Sequence, residues 1–75
     1  MVTFYHAATW KIAVYGREHG VPHFHVEGRG FRCSVSIETH ELIIGVAPTP
    51  ILKIARDRAR EHRAHLMSTW LELNE

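Results

Sequence analysis

The segment His19-Gly20-Val21-Pro22-His23-Phe24-His25-Val26 gathers the side chains of this 75-residue chain best suited to chemistry. His23 and His25 are two positions apart. On a β-strand that spacing puts both imidazoles on one face, with Cα atoms about 6.7 Å apart, so both rings can reach one central atom. Pro22 fixes φ just before the pair and biases Val21 toward extended backbone. His19 lies in the preceding loop and can fold back toward the rings.

Three kinds of chemistry fit this pattern. In the first, His23 and His25 bind a metal, with a third ligand from His19 or Glu27. Zinc accepts such ligands, and three protein ligands plus water is a catalytic arrangement. In the second, one neutral and one protonated imidazole act as base and acid on RNA near neutral pH, with Arg17, Arg29 or Arg32 steadying the phosphoryl transition state. In the third, the rings are structural. Exposed on a sheet face, they hydrogen-bond backbone, Glu27, Ser34 or Ser36, or pack into a protein interface.

The elements that must position these residues follow from periodicity. Residues 10–15 alternate Trp10, Ile12 and Val14 with Lys11, Ala13 and Tyr15, a strand pattern. Two glycines and a proline mark 16–22 as a loop. In the strand expected at 23–27, Phe24 and Val26 face one way and His23, His25 and Glu27 the other. Residues 31–38 repeat the alternation, with Phe31, Cys33, Val35 and Ile37 inward. The two apolar faces coincide only if Val26 lies opposite Phe31 or Cys33. A Gly28-Arg29 turn would suit type II′. A short fourth strand is expected at 41–46.

Pro48-Thr49-Pro50 then changes the regime. Thr49 suits an N-cap and Pro50 the first helical position. No Gly or Pro follows, and Leu52, Ala55, Ala59, His62, Leu66 and Leu73 recur at helical steps. The expectation is one amphipathic helix over 50–73, roughly 33 Å long, across a four-stranded antiparallel meander over 10–46. That is a ββββα, α+β single domain over 1–75. Trp70 is its large core anchor and Cys33 an inert buried thiol. His62 is expected partly buried, and His40 and His65 on the surface.

Composition narrows the function. Nine Lys and Arg against eight Asp and Glu give a net charge of +1, far from a strongly basic nucleic-acid binder. Seven His in 75 residues let the charge climb in mild acid. One cysteine builds no internal disulfide, and no stretch approaches the roughly 20 apolar residues of a membrane span. A cytoplasmic protein with no membrane contact is expected. The chain is too short for the several βαβ units of a dinucleotide fold. A core this small favours association with itself or a partner. Lys53, Arg56, Arg60 and Arg63 line one flank of the helix; they are either a phosphate-contacting edge or a solvated outer face.

The sequence resembles a family of short, uncharacterised bacterial proteins of about this length. Its mark is an acidic residue and His, two further positions, then Pro-His-Phe/Val-His, here Glu18-His19-Gly20-Val21-Pro22-His23-Phe24-His25. The similarity continues through Ile37-Glu38-Thr39, through Gly45-Val46-Ala47-Pro48 and through Leu66 with Trp70. Val21 stands where the family often has a second proline, which leaves the loop less rigid. Such proteins are often encoded beside a second small protein, and some pairs have been proposed as toxin–antitoxin-like. The resemblance therefore implies a partner-binding role, with His19, Pro22, His23 and His25 matching the motif and no agreed catalytic residue. The leading expectation is an interaction module, one half of such a pair. It contacts a small partner protein or a second copy through the imidazole face, with Arg32 alongside His19, Pro22, His23 and His25. The rival is a small RNA-acting enzyme with His23 and His25 as acid and base. A third reading is a histidine-based metal-binding domain. No resident cofactor is expected under the leading reading, and zinc is the metal of the third.

Overall fold

The computed structural model describes residues 1–74. Five strands form one antiparallel sheet in chain order: β1 (Val2–His6), β2 (Trp10–Val14), β3 (His23–Gly28), β4 (Phe31–Ser36) and β5 (Leu42–Val46). Two helices follow, α1 (Thr49–Glu61) and α2 (Arg63–Leu73). The α+β class and the meander are as expected. The strand count and the single helix are not.

The strand missing from the expected four is β1. It pairs with β2, but the ladder slips between Thr3 and Tyr5. A bulge breaks period two, so residues 2–6 carry no clean alternation. The single helix over 50–73 is also corrected. Its backbone leaves helical geometry at His62 (φ −118°, ψ 26°), with neither Gly nor Pro at the break. The break goes with tertiary packing and not with a local breaker. Broken at His62, both halves stay on the sheet, burying Ala55 and Ala59 from α1 and Leu66 and Trp70 from α2. Phe4 of β1 lies at the break, edge-on to the rings of both His62 and His65. His62 is exposed, not partly buried. At the other end of α1, Thr49 is already helical, Pro48 holds the cap position, and no side chain caps the helix.

The core lies between the helices and one face of the sheet. Ile12, Val26 and Cys33 form one cross-strand row, Phe24 and Val35 another. All join Trp10, Val14, Ile37 and the helix residues in one apolar cluster. Val26 pairs with Cys33, one of the two registers expected, and Gly28 pairs with Phe31. The turn residues are therefore Arg29 and Gly30, not Gly28 and Arg29, and Gly30 takes the positive φ of +80°. Gly45 also has positive φ, +88°, and a Cβ there would run into the Arg32 carbonyl oxygen of the neighbouring strand. Burial pushes the Cys33 thiol above its usual range, which fits an inert core thiol. Among the described residues, no helix is long and apolar enough to cross a membrane.

The β4–β5 turn packs on α1 through His40. Its φ is +64°, and its carbonyl accepts from Arg56 Nε at 2.8 Å. Its Nε2 is buried and, among the described residues, without a hydrogen-bond partner, so the surface position expected for His40 is corrected. Burial, with Arg60 and Arg63 nearby, holds its pKa below the ordinary histidine value.

Two measurements follow from this architecture. Gly30→Ala adds only the strain of a positive φ, while Gly45→Ala adds that strain and a backbone collision. The Gly45 variant should lose about 3 kcal/mol, the upper end for such strain, and the Gly30 variant about 1 kcal/mol, read from urea midpoints. For His40, the folded ring resists protonation and the unfolded ring takes a proton near its usual pKa of about 6.5. Stability therefore drops as pH falls below that value. His40→Asn tolerates the left-handed backbone and removes the titration. It should show a shallower loss of melting temperature than the parent between pH 7 and 5.

Candidate functional site

The site is built on the outer face of the central strand. Phe24 and Val26 are fully buried under the helices, so period two sends His23 and His25 to the opposite face. They are not the exposed rings expected there. His23 is 9% and His25 6% exposed. The loop between β2 and β3 folds over them and brings in Glu18. The Tyr15 ring stands edge-on to His25 at 4.8 Å between centroids, and the Trp70 ring lies 4.7 Å from His23.

The hydrogen bonds dictate which ring nitrogens point inward. A carbonyl can only accept, so His23 Nδ1–H donates to Val21 O at 2.8 Å. Its Nε2 faces Glu18 Oε1 at 3.3 Å. His25 Nε2–H donates to the same oxygen at 2.5 Å, and the Ser34 hydroxyl donates to His25 Nδ1 at 3.4 Å. Both Nε2 atoms thus converge on one carboxylate oxygen. Either a proton on each nitrogen or a cation among the three atoms reconciles their lone pairs. The hydrogen bond from His25 is the main reason the Glu18 carboxyl is held below the usual carboxylate range, against the opposing pull of burial.

Glu18, His23 and His25 each offer a ligand atom, all within 4.8 Å of one another. Among the described residues they are the one group of three or more His, Cys, Asp or Glu so placed. Ligand atoms 2.0–2.1 Å from a tetrahedral zinc stand about 3.3–3.4 Å apart. The Glu18–His23 separation of 3.3 Å matches that edge. The Glu18–His25 separation is shorter, and Glu18, the most exposed of the three side chains, has the freedom to widen it. The group opens on a hollow of about 320 Å³ walled by His19, Val21, Ile43 and Ile44. A larger hollow of about 480 Å³, lined by His6, Trp10, Lys11 and Arg29, lies at the other end of β2 and β3 and holds none of the three ligands.

Two expected ligands fall outside the group. His19 lines the hollow but is exposed, and its ring is not among the converging atoms. Glu27 is engaged elsewhere in a cross-strand row of Lys11, Glu27 and Arg32. Its carboxylate accepts from Tyr15 Oη–H at 2.7 Å and pairs with Arg32 Nε at 2.8 Å and Lys11 at 3.9 Å. That acceptor, followed by burial, raises the Tyr15 pKa. Glu18 was in plain view as the acidic residue opening the motif, but strand spacing cannot select a loop residue. Pro22 serves the scaffold, its carbonyl accepting from Ile37 N–H at 3.0 Å.

The helix cations do not join the site. Lys53, Arg56 and Arg60 stand on α1 and Arg63 opens α2, and both helices pack on the other side of the sheet. Arg56 is tied to the His40 carbonyl, Arg60 pairs with Asp57 at 3.2 Å, and Lys53 and Arg63 are exposed. Arg32 lies on the imidazole face: it flanks the Tyr15 ring and lines, with His25 and Ser34, a further hollow of about 330 Å³.

The pattern of one family, described as a domain of unknown function (DUF4160), matches residues 9–71. No curated protein and no solved structure matches the chain. The family match leaves out β1 and takes in β2 to β5, all of α1, most of α2 and each of Glu18, His23 and His25. With that span matched, the chain belongs to the DUF4160 family.

Proposed function

We propose that this protein is a small metal-binding module that holds one zinc-class divalent ion through Glu18, His23 and His25. The observation that carries the reading is the convergence of both imidazole Nε2 atoms and one carboxylate oxygen within 4.8 Å. The outward nitrogens support it. His23 Nδ1–H donates to a backbone carbonyl, and His25, with its proton moved to Nδ1, would donate to the Ser34 hydroxyl and free Nε2 for the ion, the outer bonds that fix ring orientation in metal sites. Two imidazoles and a carboxylate suit zinc and its borderline neighbours better than calcium or magnesium. Three protein ligands leave a fourth position, facing the hollow beside Ile43 and Ile44, for water or an incoming donor atom.

Untagged protein should carry about one equivalent of zinc by elemental analysis. At a hundred times its Kd, zinc should stabilise the fold by about 2.7 kcal/mol, read as a rise in melting temperature that a chelator reverses. His25→Ala and Glu18→Gln should each remove the bound metal, while Glu27→Gln should keep it. Metal-free protein with unchanged melting on zinc or chelator overturns the reading.

A second, compatible reading is favoured by β5. Every residue of this edge strand is exposed, with Ile44 at 69% and Val46 at 71%, on the face that carries the imidazoles. Unpaired edges add strands. This supports a contact module that takes a second copy or, as the resemblance implies, a small protein from an adjacent gene. Self-association by sedimentation, or co-purification with that protein, should be lost in Ile44→Lys. A chain that stays monomeric at high concentration and retains no such partner ends this reading. The acid–base reading on RNA draws no phosphate-holding support from the α1 cations, which lie on the opposite layer.

A further inference from the structure

We infer that Asn74 is a positioning residue for the metal site, holding its carboxylate ligand and both aromatic walls in place from the end of α2. The inference rests on the metal reading above. Asn74 stands just past the last helical residue, Leu73. Its side-chain oxygen accepts from Glu18 N–H at 2.8 Å. Its side-chain nitrogen donates to Tyr15 O at 3.1 Å and to Trp70 O at 3.0 Å. One amide thus grips three backbone groups, two of them more than fifty residues away in sequence.

Those three residues all border the site. Glu18 carries the carboxylate that meets both imidazoles. Tyr15 carries the ring against His25, and Trp70 the ring against His23. Each backbone group that Asn74 holds belongs to a residue whose side chain touches the site. The two imidazoles need such help less, because they stand on β3, which pairs with β4 at both residues and with β2 at His25. Glu18 does need it. Its neighbours Arg17, His19, Gly20 and Val21 are all exposed, and Arg17 takes a positive φ of +58°. A loop left free would have to be ordered each time metal bound, and pre-ordering it raises affinity without any new contact to the ion.

The test compares the full-length protein with Asn74→Ala, Asn74→Asp and Leu73→Ala, using zinc and cobalt. Asn74→Ala should weaken zinc 10–100-fold, the range for outer-shell changes, and alter the cobalt absorption bands. In the metal-free protein it should speed hydrogen exchange at the Glu18 amide. Asn74→Asp keeps the acceptor for that amide, so it should restore part of the Glu18 protection. Leu73→Ala disturbs packing at the same helix end but leaves the three bonds, and should keep the parent cobalt spectrum. Unchanged zinc affinity and Glu18 exchange in Asn74→Ala, or an equal loss in Leu73→Ala, overturns the inference. If the parent protein binds no zinc, the metal reading has failed, and Glu18 exchange still decides whether Asn74 holds the loop.

Discussion

Successive side chains of a β-strand leave opposite faces, and β3 is the middle strand of five. That one constraint governs both halves of the molecule. Phe24 and Val26 can fill the core under the helices only if His23 and His25 stand on the other face. A slip of one residue would drive two imidazoles into the apolar cluster and two large hydrophobes into the site. The pairing of Val26 with Cys33 on one side and Ile12 on the other therefore fixes the core and the chemistry together. Either could be altered by mutation, but not independently of the register.

A second constraint comes from size. Burying a polar atom without a partner costs roughly 1–3 kcal/mol, a large share of the stability a domain this small commands. Two nearly buried imidazoles are tolerable because all four ring nitrogens have partners: Val21 O, Ser34 Oγ and, twice over, Glu18. The carboxylate is then as much a structural requirement as a ligand. Its removal would leave the His25 Nε2–H without its acceptor and the His23 Nε2 without its neighbour in a sheltered pocket. This is why the loop closes over the rings instead of leaving them open to water.

The parts of the fold that were legible in the sequence are those where one face is packed. Residues in β2, β3 and β4 alternate because a core lies on one side only, and the alternation shows without coordinates. β1 is an edge strand with a bulge, and neither of its faces is uniformly buried, so Val2 to His6 give no period. The break at His62 is invisible for another reason. It goes with the packing of Ala55, Ala59, Leu66 and Trp70 on the sheet, a property of the assembled molecule, and no local signal marks it. Glu27 looked like a ligand because it shares a strand face with both imidazoles. Cross-strand neighbours decide otherwise, since Lys11 and Arg32 flank it and Tyr15 donates to it. Glu18 reaches the rings through loop geometry, which residue spacing does not encode.

The abundance of histidine is itself no guide to function here, and the contrast among the seven explains why. His62 and His65 set their rings against Phe4. His40 fills a turn, its Nε2 buried with no partner among the described residues. His6 and His19 are exposed. Only at His23 and His25 does each ring commit one nitrogen to an outer partner and direct the other toward a common carboxylate. An imidazole whose outer nitrogen is tethered has lost most of its rotational freedom before any ion arrives, so less of the binding energy goes into orienting it. What separates a ligand from an ordinary histidine is therefore the bond made by the nitrogen that does not face the metal. In this chain the Val21 carbonyl and the Ser34 hydroxyl provide it, one from the loop and one from β4.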